Sequence, residues 1–269
     1  MAALEADGTV VTAFEGPGPW SIEAVVPEAP DRADLAARLA LAAHLAGVEP
    51  LPFTVAAIER RDWLALNLAS FTPVGIGRFV VHGAHHAPPR HRWGLRIDAA
   101  TAFGTGEHPT TRACLEMLEA LACRRPLGRV LDLGTGSGLL AIAAARLGAA
   151  RVVAVDIDPE AVCVAARHAR LNRAHVMVAC SNGPRSAAAR RGGPYDLILA
   201  NILAAPLAAM AGDLARALVP GGHAVLSGLL TRQERQVLVP CRRAGLRLVR
   251  RRVIGEWATL VVAAPHPTA

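Results

Sequence analysis

Residues 130–138 read Val130-Leu131-Asp132-Leu133-Gly134-Thr135-Gly136-Ser137-Gly138, and one helix length later the chain reaches Val153-Ala154-Val155-Asp156-Ile157-Asp158-Pro159. A short apolar run ends in Asp132, and three glycines at alternate positions follow it. Glycine has no Cβ, so such a turn can bend tightly, let the backbone approach a ligand and let the next helix pack closely. Asp156 stands at the tip of the next strand, about 20 residues on, where a carboxylate can accept hydrogen bonds from both hydroxyls of a ribose. A glycine turn followed at this distance by an acidic strand end is the layout of a nucleotide-cofactor site.

The glycine spacing bears on which cofactor that is. Dinucleotide folds use G-x-G-x-x-G and set the pyrophosphate on the helix N-terminus. Here the pattern is G-x-G-x-G after an aspartate. It resembles the first motif of the S-adenosylmethionine-dependent methyltransferases, whose cofactor has no pyrophosphate. On this motif alone the dinucleotide reading stays open, because glycine turns after strands also recur for structural reasons.

A chain of 269 residues with 52% hydrophobic content is long enough for one large α/β domain and a small second one. No apolar run reaches the roughly 18 residues of a membrane span, and the N-terminus lacks a basic-then-apolar signal pattern. A cytoplasmic protein with no membrane partner is expected. Cys114, Cys123, Cys163, Cys180 and Cys241 are scattered without metal-ligand spacing, so they read as buried free thiols and no metal is expected. His85, His86 and His91 fall in a Pro-rich stretch and read as a solvated loop.

All 29 basic residues are arginine. Residues 1–63 hold ten acidic side chains against four arginines, a net of −6, whereas the remainder holds 25 arginines against 12 acids, a net of +13. An acidic small domain beside a basic large one is implied.

Along the chain, a strand over Trp20–Val26, a helix over Asp31–Ala46 and a strand over Pro52–Ile58 are predicted. We expect a small first domain over residues 1–61, a linker over 62–75 and a large α/β domain over 76–269. Short strands follow at Phe79–His82 and Leu95–Ile97, then a helix over Thr110–Ala122. The rest alternates, with strands at Arg129–Leu133, Arg151–Val155, His175–Ala179, Tyr195–Ala200 and His223–Ser227, whose near-continuous apolar character suits a parallel sheet. Leu246–Val253 and Trp257–Val262 are joined by Ile254-Gly255-Glu256 without a helix, so a hairpin closes the sheet with an antiparallel strand. Methyltransferases of this fold characteristically end that way.

Two further constellations stand out. Ala102-Phe103-Gly104-Thr105-Gly106-Glu107-His108-Pro109-Thr110-Thr111 reads either as an N-capped loop or as a flap in which Phe103 covers a cofactor and a threonine hydroxyl touches its polar end. Asn201, in Leu199-Ala200-Asn201-Ile202-Leu203-Ala204, falls at the C-terminal end of the strand beside the glycine-turn strand. Ligands of open parallel sheets bind at that edge, although an asparagine there could instead cap the next helix.

The phrases AFGTGEHPTT, LDLGTGSGLLAIAAARLGA, DIDPEAV and ANILAAPL, in this order and spacing, resemble the ribosomal protein methyltransferases that modify protein eleven of the large subunit. The resemblance runs from about Asp62 to Leu260. It implies a Rossmann-like S-adenosylmethionine-dependent α/β domain, with cofactor contacts from Thr111, Gly134, Gly136, Asp156 and Asn201, and from Phe103. It also implies that residues 1–61 are a small ferredoxin-like substrate-recognition domain ahead of a catalytic domain over 76–269. Only one strand-helix-strand unit precedes Arg61, so that domain is expected to be partial. Ala99 follows Asp98 where the family often has proline.

Methyl transfer from a sulfonium mostly asks the protein to position donor and acceptor and exclude water. Asn201 is the candidate for orienting an acceptor nitrogen. No general base is assigned, and His108 is read as helix-start packing ahead of a proton acceptor. Ribosomal protein eleven is the expected partner, free or on the ribosome, with incidental ribosomal RNA contact from the basic domain. Two rivals stay open: methylation of another acceptor such as RNA, and a non-catalytic ribosome assembly protein. Ile202 and Leu203 after Asn201 do not make the stacking platform that a planar base needs.

Overall fold

The computed structural model describes residues 10–14, 21–49, 52–57, 72–86, 93–98 and 108–266. The chain divides into two compact units, residues 1–61 and 62–269.

In the first unit, β1 (Val10–Phe14) pairs antiparallel with β2 (Ser21–Val25), Val10 facing Val25. Helix α1 (Arg32–Ala46) follows. Asp31 caps it by accepting the N–H of Ala33 at 2.7 Å, and Gly47 ends it in the left-handed region at φ 68°, a conformation that an L side chain avoids. The strand expected over Pro52–Ile58 is a correction: residues 52–57 form no strand, and Ile58 lies outside the described residues. The partner of β2 instead precedes it. β-propensity reports fit to a half-buried pleated surface and does not choose the pairing partner.

The second unit opens with a three-stranded sheet, β3 (Val74–Ile76), β4 (Phe79–His82) and β5 (Trp93–Arg96), in which β4 and β5 run parallel. Then come α2 (Pro109–Ala122), β6 (Arg129–Leu133), α3 (Leu139–Arg146), β7 (Arg151–Asp156), α4 (Pro159–Leu171), β8 (Val176–Cys180), α5 (Ala187–Gly192) and β9 (Tyr195–Asn201). The unit ends with α6 (Ala204–Ala209), α7 (Ala211–Ala217), β10 (Leu218–Leu230), α8 (Glu234–Arg243), β11 (Arg247–Ile254) and β12 (Trp257–Ala263).

Seven strands form one sheet in the order β11-β12-β10-β9-β6-β7-β8. Strands β6 to β10 are parallel, and β12 is antiparallel to both β10 and β11. The expected reversed strand is therefore present, seated inside β11. The chain steps outward from β6 to β8 and then returns to the other side at β9, so the order switches between β6 and β9. In open α/β sheets the crevice at that switch is where ligands bind.

Both faces of the sheet are covered. On one lie α2, α3 and the small sheet, with Phe79, Leu95, Leu115, Leu118 and Ile142 buried against Val130 and Leu197. On the other, Leu207, Leu214, Val237 and Cys241 bury Ile198, Ala200 and Leu226. Burying a Leu or Ile side chain contributes about 1.5–3 kcal/mol, so this double cover explains the apolar strands. The cysteines are free as expected, but only Cys114 and Cys241 are buried. Cys123 caps α2, Cys163 lies on α4 and Cys180 ends the edge strand β8, and all three are exposed.

Candidate active site

The turn after β6 is built by its glycines. Gly134, Gly136 and Gly138 have φ of 65°, 52° and 82°. The N–H groups of Gly134 and Thr135 donate to the carbonyl of Val155 at 2.9 and 3.1 Å, which pins the turn to the end of β7. A Cβ on Gly134 would stand 2.3 Å from Ile202 Cγ2, and one on Gly138 would stand 3.1 Å from Ala165 Cα. Glycine is required at the first position by close approach and at the third by helix packing.

Asp156 at the tip of β7 is held from two sides. Its Oδ2 accepts the Gly136 N–H at 2.8 Å, and its Oδ1 accepts the Asp158 N–H at 3.1 Å. The turn is thereby locked to the carboxylate. Asp132, fully buried beneath it, accepts the Thr135 hydroxyl at 2.6 Å and the Ala141 N–H at 3.2 Å on one oxygen, Oδ2. Burial pushes Asp132 up to about 6, against the pull of those two bonds. The carbonyl of Ser137 lies 2.8 Å from His168 Nδ1, which donates to it. That fixes Nε2 as the acceptor for the Asp98 N–H at 3.2 Å and keeps the ring neutral, in the same direction as its burial.

A cavity of about 400 Å³ opens at the switch between β6 and β9. Thr111, Gly134, Gly136, Asp156 and Asn201 all line it, so five of the six residues expected at the site come together. Phe103, the sixth, and the rest of residues 99–107 lie outside the described residues. The Asn201 amide Nδ2 donates to Thr111 Oγ1 at 3.3 Å. The alternative of Asn201 as a helix cap is not formed, since α6 begins at Ala204 with Leu203 at its cap.

Two buried side-chain atoms among the described residues have no hydrogen-bond partner, Asn201 Oδ1 and Ser181 Oγ. Both residues line this cavity. An unsatisfied buried polar atom costs about 1–3 kcal/mol, so their placement marks where a ligand's donors belong. Ser181 was not singled out in the sequence. A lone serine after β8 carries no pattern, and its only signal is its place at the same C-terminal edge of the sheet. His108 caps α2 by accepting the Thr110 N–H at 3.3 Å, and its ring stands edge-on to Trp257 at 4.7 Å. This is the packing role expected of it. Burial lowers its pKa.

A parallel sheet with a reversed penultimate strand, a glycine turn at the switch point and a carboxylate at the neighbouring strand tip is the Rossmann-like arrangement of the S-adenosylmethionine-dependent methyltransferases. The chain belongs to the family described as Ribosomal protein L11 methyltransferase (PrmA), whose model matches residues 11–265. A Bradyrhizobium diazoefficiens protein named Ribosomal protein L11 methyltransferase is 44% identical over 94% of this chain and 86% of its own length. One of the same name from Geobacter sulfurreducens is 46% identical over 80% of this chain and 71% of its own. The crystal structure of ribosomal protein L11 methylase from Lactobacillus delbrueckii subsp. bulgaricus superimposes with a TM-score of 0.65 at 27% identity, covering 73% of this chain and all of that one.

Proposed function

We propose that this chain is an S-adenosylmethionine-dependent protein methyltransferase of the cytoplasm that modifies amino groups of ribosomal protein L11, on lysine side chains, the N-terminal amine or both. The observation that carries the reading is Asn201 Oδ1, a buried acceptor without a partner on the wall of the switch-point cavity.

The residues fit the cofactor. Asp156 has lone pairs left after its two backbone bonds and takes the ribose hydroxyls, while the cradle at Gly134 admits only backbone. Ser181 Oγ is a further polar contact. When bound, S-adenosylmethionine supplies a methyl group activated by a cationic sulfonium. Thr111 holds the amide end of Asn201, which leaves Oδ1 to accept a hydrogen bond from the acceptor nitrogen and aim its lone pair. Positioning of this kind is worth several kcal/mol of barrier. The amine must first lose a proton, because a lysine titrates near ~10.4 in water and its ammonium form has no lone pair. Entry into a desolvated cavity beside a positive charge lowers that pKa, so bulk water takes the proton and no side chain is assigned as base.

A basic second unit also suits an RNA acceptor, but Ile202 and Leu203 after Asn201 leave no flat aromatic platform. Transfer of labelled methyl to purified large-subunit proteins and, separately, to ribosomal RNA decides between them, with Asp156→Ala beside the wild type. Label on one basic protein, absent with the variant, is the expected result. Label on RNA would overturn the acceptor, and cofactor binding without any transfer would favour an assembly role.

A further inference from the structure

Helix α4 meets the glycine turn at two neighbouring positions. Gly138 packs against Ala165, and the Ser137 carbonyl accepts the Nδ1–H of His168 at 2.8 Å. Residues three apart on a helix share a face, so α4 presents both contacts together. Ser137 stands just before Gly138, the cap residue of α3, where a carbonyl has no helical donor of its own. The N–H groups of the turn are spent on β7, those of Gly134 and Thr135 on the Val155 carbonyl and that of Gly136 on Asp156. His168 therefore grips the same turn from a second element.

The ring is 1% exposed. Its Nε2 lies 3.2 Å from the Asp98 N–H, which can only donate, so the ring proton sits on Nδ1. Asn172, one turn further on, accepts the Arg96 N–H at 2.8 Å and donates to the Arg96 carbonyl at 2.7 Å. Asp98 closes the cluster on Arg96 at 3.4 Å and Arg167 at 3.3 Å. Helix α4 thus ties the end of β5 to the glycine turn, and His168 is the side chain that touches both.

Two ordinary explanations fall short. A histidine in the last turn of a helix complements the dipole as a cation, but this ring spends Nδ1–H on another element and carries no proton on Nε2. Core filling asks only for volume, and a polar side chain is costly there unless it is hydrogen-bonded. His168 meets that condition through two backbone groups that an apolar side chain would leave without this partner. Burial lowers its pKa most, Arg167 and Arg96 act in the same direction, and the Ser137 carbonyl and Asp98 oppose them. The ring stays neutral, the state both bonds need.

We infer that His168 is a positioning residue for S-adenosylmethionine: by holding the Ser137 carbonyl it fixes the last peptide of the glycine turn and sets the backbone at Gly136 and Ser137, on the cavity wall, before the cofactor arrives. Preorganisation of this kind raises affinity by cutting the ordering cost of binding. The inference rests on the reading of this cavity as the cofactor site. Ser137 lines that cavity, whereas Asp98 is not among the described residues that do. The bond to Ser137 therefore governs affinity, and the bond to Asp98 serves stability.

Substitution separates the two bonds. Asparagine carries its amide nitrogen as many bonds from Cα as Nδ1, and glutamine its terminal oxygen as many as Nε2. His168→Asn thus keeps the donor for Ser137, and His168→Gln keeps the acceptor for Asp98. By calorimetry well below the melting range, His168→Asn should bind S-adenosylmethionine within about twofold of wild type, while His168→Gln and His168→Ala bind about tenfold more weakly, the scale of one net hydrogen bond. Thermal midpoints should fall by several degrees in all three, since each leaves a buried backbone group unpaired. At saturating cofactor kcat should stay within about twofold of wild type, so the loss appears in the KM for S-adenosylmethionine. Equal affinities in the asparagine and glutamine variants would overturn the inference. So would affinities that follow the thermal midpoints across the three variants, or a fall in kcat with affinity unchanged. A wild-type chain that binds no S-adenosylmethionine would overturn the cofactor reading of the cavity, and the inference with it.

Discussion

Single side chains at the cavity divide into those that hold the cofactor and those that hold the acceptor. Removing the Asp156 carboxylate takes away two hydrogen bonds from a charged acceptor, each worth about 1.5–3 kcal/mol. Asp156→Ala should therefore weaken S-adenosylmethionine binding by roughly a hundredfold or more, as read by calorimetry. Asn201→Ala should act on transfer more than on affinity, lowering kcat by about a hundredfold through a misplaced acceptor. A larger loss of cofactor binding than of kcat would assign Asn201 to the cofactor alone. Asp132 makes a different claim, about stability. Its folded pKa is raised to about 6, above the ordinary carboxylate value, so its favourable contribution is complete below about pH 4 and is lost as pH rises toward about 6. Both of its hydrogen bonds fall on one oxygen, where a carboxamide oxygen can accept them as well. Asp132→Asn should flatten that decline, gaining on the order of 2 kcal/mol on wild type between pH 4 and pH 7. Urea midpoints at the two pH values check it, and parallel curves would count against it.

At the scale of elements, β10 positions the site as much as the glycine turn does. Its Ser227 stands opposite Asn201 in register, accepts the Ile202 N–H at 3.1 Å on its carbonyl, and shares a 2.6 Å hydrogen bond between its hydroxyl and that of Thr259 on β12. Gly228 follows at φ 84°, where a Cβ would fall 2.4 Å from the carbonyl oxygen of Ile202. Gly255, in the β11–β12 turn, has φ 59° with open space around it. Gly255→Ala should cost only the left-handed strain, about 1–2 kcal/mol, and keep its activity. Gly228→Ala adds a backbone clash of about 1–3 kcal/mol and should displace Ile202 and Asn201, so thermal midpoint and transfer fall together. Equal midpoints for the two variants would remove β10 from the site. The contrast also shows where the sequence could be read. Strands β6, β7 and β9, the glycine turn and the closing hairpin were legible because each is written in a local pattern. The span of β10 was not, since Val219-Pro220-Gly221-Gly222 reads as a turn, yet the strand runs through it with a register shift before His223. Neither Ser181 nor the pairing of β1 with β2 leaves a local trace, because both depend on what the rest of the chain brings near.

For the whole molecule, the charge division implies a division of labour. We expect the first unit, within the −6 region, to meet a basic ribosomal protein, and the second unit to hold the cofactor. The residues lining the cavity, and the buried clusters on both faces of the large sheet, all belong to the second unit. Deleting residues 1–61 should therefore leave S-adenosylmethionine affinity nearly unchanged while lowering kcat/KM for the protein substrate. The loss should be electrostatic in kind. Exposed charges are screened over about 8 Å at physiological salt and over about 3 Å at 1 M, so added salt should lower kcat/KM of the full chain toward that of the truncated one. Stopped-flow transfer measured across a salt series, with calorimetry for the cofactor, reads both quantities. If truncation lowers cofactor affinity and protein activity by the same factor, the first unit is part of the catalytic fold; if the two proteins keep a constant ratio at every salt concentration, its contribution to substrate capture is not one of charge.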